Sequence, residues 1–247
     1  MKFPPVTTML MLLYSFNATA NTQRSYHGDV ELGAVVTTGN TNTVSAKTAI
    51  NVEQDFEMWR TEYVVNAQYQ RSQFEDDDGL KQRETTEQQI FLSYQGNYKL
   101  EEANKSFFLL GSFNDERFNG YNYQITVATG YGWRLLENNN HTIDLEIGPG
   151  YSWNEFHNDD QQEGTIFHGA FKYQHQLTVA TRFRQEATTD ASFSGANSKT
   201  KLESSLIADI NGRLAMKVSF YVEYNTKPDD DIKSVDTETG ITLVYSF

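Results

Sequence analysis

A strict alternation of apolar and polar residues runs through most of this chain, and it limits the possible folds more than any other feature. Between residues 44 and 56, the even-numbered positions include Val44, Ile50 and Phe56, whereas the odd-numbered positions include Lys47 and Glu53. Side chains of a β-strand point alternately to its two faces, so such a segment has one apolar and one polar face. The alternation therefore predicts β-strands.

About twelve such segments follow one another, and each is long enough to cross a lipid bilayer at a tilt. No helical pattern separates them, so we expect consecutive strands to pair antiparallel as an up-and-down β-barrel. The expected strands span residues 28–38, 44–56, 59–74, 85–98, 106–118, 122–136, 141–156, 164–176, 178–189, 199–210, 213–225 and 235–247.

The connections between these segments alternate in length, which is typical of outer-membrane barrels. Short turns are expected on one side, at 57–58, 137–140, 175–176 and 211–212. Longer polar loops are expected on the other side, at 75–84, 157–163, 190–198 and 226–234. Two connections fit less well, because 39–43 is short for its side and 99–105 is long for its side.

A soluble β-sandwich would also show alternation, but the segments differ from sandwich strands in three ways. They are about 11 to 16 residues long, whereas strands of globular proteins usually have five or six. Their polar faces carry charges that would be costly to bury between two sheets. Aromatic residues stand near the ends of the apolar faces, as the interfacial girdles of membrane barrels require: Trp59, Tyr98, Trp133, Tyr151, Trp153, Phe167 and Tyr224.

The composition excludes several other classes of protein. The chain has 247 residues, a net charge of -13 and no cysteine. An acidic chain lacks the basic surface of a nucleic-acid binder, and the absence of cysteine excludes disulfides and thiolate metal sites. No apolar run reaches eighteen residues, so an α-helical membrane protein is excluded as well. A barrel explains why only 38% of residues are hydrophobic although 13% are aromatic.

Both ends of the chain fit an exported barrel. Residues 1–20 contain a basic start at Lys2, an apolar stretch and a small-residue pattern at 18–20, which together predict a cleaved signal peptide. The barrel domain would then comprise residues 21–247. The last alternating segment ends at Phe247, and we expect the machinery that assembles outer-membrane barrels to recognise this terminal aromatic residue.

Three motifs resemble those of a known family. The triplet at 39–41 is Gly-Asn-Thr, residues 146–151 read Glu-Ile-Gly-Pro-Gly-Tyr, and the chain ends in Val-Tyr-Ser-Phe. Together they resemble the family of salt-induced outer-membrane proteins, also called domain of unknown function 481, over residues 28–247. This resemblance implies an outer-membrane β-barrel but no reaction or substrate. Pro149, which lacks an amide proton, predicts a bulge or a local bend within its strand.

Charged residues on the polar faces are the candidate functional residues. We expect opposite charges on neighbouring strands to form ion pairs along the lumen wall. Two interpretations stay open: a charged passage that selects small solutes, or a self-neutralising filling that stiffens the barrel. Twelve strands lie between the filled eight-stranded barrels and the open sixteen-stranded ones. The predicted lumen network comprises Lys47, Glu62, Asp144, Glu146, His168, Lys172, Arg182, Arg184, Glu203, Lys217 and Glu223.

Three acidic runs fall in the longer loops and are weak candidates for cation binding. There, calcium or magnesium could bridge carboxylates to lipopolysaccharide phosphates, because these ions prefer oxygen ligands. The alternative is a solvated acidic surface, and no run has the spacing of a calcium-binding loop. We expect no cofactor. The candidate residues are Asp76, Asp77, Asp78, Asp159, Asp160, Asp229, Asp230 and Asp231.

No sequence motif of an enzyme is present. A catalytic nucleophile needs a base within hydrogen-bond reach. Of the five histidines, only His168 is expected inside the lumen, and no recognisable serine motif accompanies it. The leading hypothesis is therefore an outer-membrane protein for passive permeation or for envelope maintenance under osmotic stress, with membrane lipid and lipopolysaccharide as partners. The alternatives are an outer-membrane enzyme acting on lipid or peptide, and a structural or adhesive surface protein.

Overall fold

The structure, a computed structural model, describes residues 25–37, 42–75, 81–102, 104–116, 121–156, 161–195, 197–227 and 234–247. This part of the chain contains no helix long and apolar enough to cross a membrane. Its strands are β1 Ser25–Thr37, β2 Asn42–Asp55, β3 Trp59–Glu75, β4 Lys81–Lys99, β5 Lys105–Glu116, β6 Tyr121–Glu137, β7 His141–Phe156, β8 Gln161–Thr178, β9 Thr181–Ser192, β10 Lys199–Asp209, β11 Leu214–Asn225 and β12 Val235–Ser246.

The strands form one closed barrel in which every strand pairs antiparallel with its neighbours in the sequence. Strands β1 and β12 close the barrel, with Asp29 opposite Ser246. The ladder continues to the last residue, because the amide of Phe247 donates to the Gly28 carbonyl at 2.9 Å and the amide of Gly28 donates to the Phe247 carbonyl at 3.0 Å. The predicted twelve-stranded antiparallel barrel is confirmed, and closure leaves no unpaired sheet edge.

One predicted turn is in the wrong place. Strand β8 continues to Thr178, so the turn to β9 consists of residues 179 and 180 rather than 175 and 176. His175 and Gln176 look like turn residues because they are polar, yet both are paired with residues of β9 in the ladder. Similarly, β3 extends to Glu75 and β4 begins at Lys81, which leaves a shorter connection than the predicted 75–84.

The barrel has an apolar outside and a polar inside, the reverse of a soluble protein. Large apolar side chains are exposed on the outer surface, whereas many polar and charged side chains are buried inside. Phe108 and Ile166 are the largest fully buried side chains among the described residues. Apolar residues exposed on the outer surface include Leu32, Val44, Leu109, Val218, Ile241 and Leu243.

Strands β6 and β7 approach each other unusually closely at Gly130 and Gly148. A Cβ atom at Gly148 would lie 2.0 Å from the carbonyl oxygen of Thr129, and one at Gly130 would lie 2.1 Å from the carbonyl oxygen of Ile147. The ladder is interrupted here, but its register is the same on both sides. Pro149 is therefore not the site of a bulge; instead, it stands beside a close approach of two backbones that only glycine permits.

Candidate functional site

A polar cavity of about 1140 Å³ occupies the lumen of the barrel. A space of this size holds water, so charged side chains can face it without the full penalty of burial. Arg182 does not line this cavity; its Nη1 lies 3.1 Å from Oδ1 of Asp209. The other residues of the predicted network do line it: Lys47, Glu62, Asp144, Glu146, His168, Lys172, Arg184, Glu203, Lys217 and Glu223.

An ion pair between Lys172 and Glu62 crosses the lumen. Nζ of Lys172 on β8 lies 2.7 Å from Oε2 of Glu62 on β3, and these strands are five positions apart around the barrel. Asp144, which stands opposite Lys172 in the ladder, is instead bound by Arg134 of β6, with 2.8 Å between Nε and Oδ1. Lys172 therefore does not form the expected ion pair with Asp144 on the neighbouring strand; its ion pair with Glu62 crosses the lumen instead.

A second lysine reaches across the lumen from β10 to β4. Nζ of Lys201 lies 5.2 Å from the centroid of the Phe91 ring, which is cation–π distance, and the two strands are six positions apart. Phe91 was not among the predicted lumen residues, because an aromatic residue in a barrel strand is expected on the lipid side. Its position in phase with the inward-facing Gln89 and Gln95 was the signal that could have placed it inside.

Ion pairs also bridge the seam where β1 meets β12. Lys217 of β11 lies 3.1 Å from Oε2 of Glu31 on β1 and 2.7 Å from Oε1 of Glu203 on β10. Lys47 of β2 lies 2.9 Å from Oε1 of Glu238 on β12. Glu31 and Glu238 were not among the predicted network residues, although both lie on the polar faces of their strands. The Lys217–Glu31 and Lys47–Glu238 pairs connect strands across an intervening one and so hold the seam together, whereas Lys217 and Glu203 join the neighbouring strands β11 and β10.

The carboxylate of Glu223 is fully satisfied by its neighbours. Its Oε1 lies 2.9 Å from Nζ of Lys199, and its Oε2 lies 3.7 Å from Nζ of Lys201. The hydroxyl of Tyr221 donates to Oε2 at 2.7 Å, and Nδ2 of Asn225 donates to Oε1 at 3.1 Å. Two lysines thus share one buried carboxylate in this part of the wall.

Two further members of the predicted network have weaker charge partners. Glu146 accepts a hydrogen bond from Nε2 of Gln95 at 2.8 Å. Nε of Arg184 lies 3.9 Å from Oε1 of Glu186, at the limit of an ion pair. The carboxylate of Glu146 is therefore stabilised by a hydrogen bond from a neutral amide, and the positive charge of Lys172 attracts it from a greater distance.

His168 is held between an acid and an aromatic ring. Its Nδ1 lies 2.7 Å from Oδ1 of Asp190, and its ring centroid lies 5.7 Å from that of Phe108. Phe108 stands opposite Gly130 in the ladder and His168 stands opposite Gly148, so the two glycines leave room for the rings to meet. A histidine oriented by a carboxylate resembles part of a catalytic triad, but no serine or threonine hydroxyl bonds to it in the described part of the chain.

The acidic runs of the longer loops lie outside the described residues, as do residues 1–24 and the triplet at 39–41. Among the residues that the structure does describe, no group of three His, Asp or Glu side chains could hold a metal ion. The candidates for cation binding that lie outside are Asp76, Asp77, Asp78, Asp159, Asp160, Asp229, Asp230 and Asp231.

Sequence comparisons point to one family. The pattern of the family described as "Protein of unknown function, DUF481" matches residues 30–247. The "Uncharacterized protein YdiY" of Escherichia coli (strain K12) is 26% identical over 136 residues, which are 55% of this chain and 53% of that protein. The chain thus aligns with about half the length of this curated relative.

Solved structures of similar shape are outer-membrane proteins. An outer-membrane channel from Pseudomonas putida F1 superposes with a TM-score of 0.51 and 8% identity, covering 95% of this chain and 98% of that one. The NanC porin gives a TM-score of 0.49 at 9% identity, with 89% and 97% covered. The translocator domain of autotransporter NalP from Neisseria meningitidis gives 0.47 at 9%, with 97% and 93% covered. At such identities, the first likeness shows the barrel fold alone.

Proposed function

Because the chain belongs to the family described as Protein of unknown function, DUF481, we propose a function from the geometry of the barrel: a passive channel for small hydrophilic solutes in the outer membrane. The observation that carries the proposal is the polar cavity of about 1140 Å³ inside the closed strands. Such a barrel would give small solutes a polar path across the lipid bilayer without a conformational change of the protein. The Pseudomonas putida barrel of the same fold is an outer-membrane channel, which favours this activity over others.

The outer surface of the barrel supports its place in a membrane. Large apolar side chains that would cause aggregation in water cover this surface. Aromatic rings meet at the short-turn end of the barrel, where β3 begins and β4 ends; there, the Trp59 and Tyr98 ring centroids lie 5.0 Å apart. Such rings are favourable at the level of lipid headgroups. We therefore propose the outer membrane as the location, and its lipids and lipopolysaccharide as partners.

We further propose that the passage serves envelope maintenance under osmotic or ionic stress. This part rests on the resemblance to salt-induced outer-membrane proteins. Growth of a strain lacking the protein should be impaired on a shift to high salt and restored by the wild-type gene. Equal growth of the two strains across salt concentrations would contradict this role.

The proposed channel has no enzymatic activity, although His168 and Asp190 form an acid–histidine pair. Packing of the His168 ring against Phe108 is consistent with a structural role. The purified barrel should not hydrolyse phospholipid or peptide substrates. Hydrolysis that disappears in the variant His168→Ala would instead support the enzyme alternative.

Conductance across a planar lipid bilayer tests the channel. The purified, folded barrel should produce discrete ion currents, whereas the same amount of boiled protein in the same detergent should not. Faster gel migration of the unheated sample would verify, before each recording, that the barrel is folded. A folded barrel that carries no current at any salt concentration would overturn the proposed function.

A further inference from the structure

We propose that the lumen conducts cations in preference to anions, and that Lys172 is a tethered cation that limits their passage. This inference rests on the proposed channel function and names the class of solute that the channel accepts. It follows from the charge of the whole lumen wall and from the surroundings of one ammonium group.

The wall of the cavity has an excess of negative charge. Among the described residues, twelve Asp and Glu residues line it, against seven Lys and Arg residues. The low dielectric constant of the protein and lipid around the lumen focuses the field of these charges into the passage, which concentrates cations and excludes anions. Rings of Asp and Glu side chains are one established basis of cation selectivity in channels.

The surroundings of Lys172 indicate where the passage of cations is obstructed. Its ammonium group forms a direct ion pair with Glu62, at 2.7 Å, and the carboxylates of Glu146 and Glu186 are near enough to attract it without direct contact. Glu186 is its partner in the β8–β9 ladder, Glu146 lies on β7, and Glu62 belongs to the far side of the lumen. One positive group thus stands among three negative ones, in the position that a passing cation would take.

Because this ammonium group is covalently part of the protein, it obstructs the passage permanently, whereas a free cation would move on. Lys172 is bound to β8 by its side chain, so it cannot leave the lumen, and its contact with Glu62 spans the passage. The side chain is 41% exposed to the cavity, so it is not locked into the wall. Its removal would open the passage and leave three carboxylates facing the solutes.

Reversal potentials measured under a potassium chloride gradient test this inference. The wild-type barrel should give a potential that indicates preference for potassium. Lys172→Gln should raise the single-channel conductance roughly twofold or more and shift the potential further toward potassium. Lys105→Gln is the matched control, because Lys105 stands at the start of β5 beside Glu102 and does not line the cavity. This variant should behave as the wild type.

The possible failures are distinguishable. Currents without cation preference would overturn this inference and leave the channel intact, whereas the absence of any current would overturn the proposed function itself. Unchanged conductance and selectivity in folded Lys172→Gln would overturn the role of Lys172. Should that variant fail to fold, Glu62→Gln provides the second test. It removes one carboxylate and should shift the potential toward chloride; a shift toward potassium would contradict the proposal.

Discussion

The ammonium group of Lys172 lies 2.7 Å from the carboxylate of Glu62, although β8 and β3 stand on nearly opposite sides of the barrel. The register would place Asp144 beside Lys172, but Arg134 binds Asp144. For Lys172 and Asp144, the ion-pair partners are therefore decided by competition among several inward side chains. A contact that crosses the lumen also connects distant parts of the sheet.

The pair should contribute measurably to the stability of the barrel. We expect Glu62→Gln and Lys172→Gln each to lower the free energy of unfolding, and the double variant to lower it by less than the sum. The Lys172 side chain is 41% exposed and that of Glu62 is 22% exposed, so the coupling energy should be only about 1 kcal/mol. Unfolding in urea, followed by tryptophan fluorescence, measures it. Additive effects would show that the contact contributes nothing.

The close approach of β6 and β7 should make the barrel sensitive to substitution of Gly148. In Gly148→Ala, the new Cβ would meet the Thr129 carbonyl oxygen at 2.0 Å, so the backbones must separate. We expect a loss of about 1–3 kcal/mol in folding stability, as for other overpacked sites. Gly111→Ala is the matched control, because nothing lies within 4 Å of a Cβ at Gly111. The temperature at which the fast-migrating folded form disappears should fall only for Gly148→Ala; equal melting of the two variants would contradict the proposed crowding.

Phe247 should act in assembly through its ring as well as through its backbone. In Phe247→Ala, the two backbone hydrogen bonds with Gly28 can still form, whereas the ring that lies against Gly28 is lost. We expect this variant to refold in detergent nearly as well as the wild type but to accumulate poorly in the outer membrane of cells. Deletion of Phe247 should impair both processes. Normal accumulation of Phe247→Ala in cells would rule out recognition of the ring.

The alternation of the sequence predicted which way side chains point, because a strand whose two faces meet different surroundings must alternate. It placed Lys47 inside and Val44 outside, as the structure does. It did not predict the end of β8, since polar residues such as His175 and Gln176 occur equally in turns and in the wall of a wet lumen. Nor did it predict that Glu62 meets Lys172, because contacts across a lumen depend on the shape of the closed barrel.

Thiol labelling of two neighbouring positions tests most directly whether the polar face surrounds an aqueous passage and the apolar face meets lipid. The chain has no cysteine, so a single introduced thiol reports one site. On β11, Ser219 lines the cavity, whereas Val218 is exposed on the outer surface. In lipid vesicles, a charged, membrane-impermeant thiol reagent should modify Ser219→Cys and leave Val218→Cys unmodified. In a planar bilayer, the same reagent should reduce the current through Ser219→Cys. Modification of Val218→Cys with protection of Ser219→Cys would contradict this arrangement.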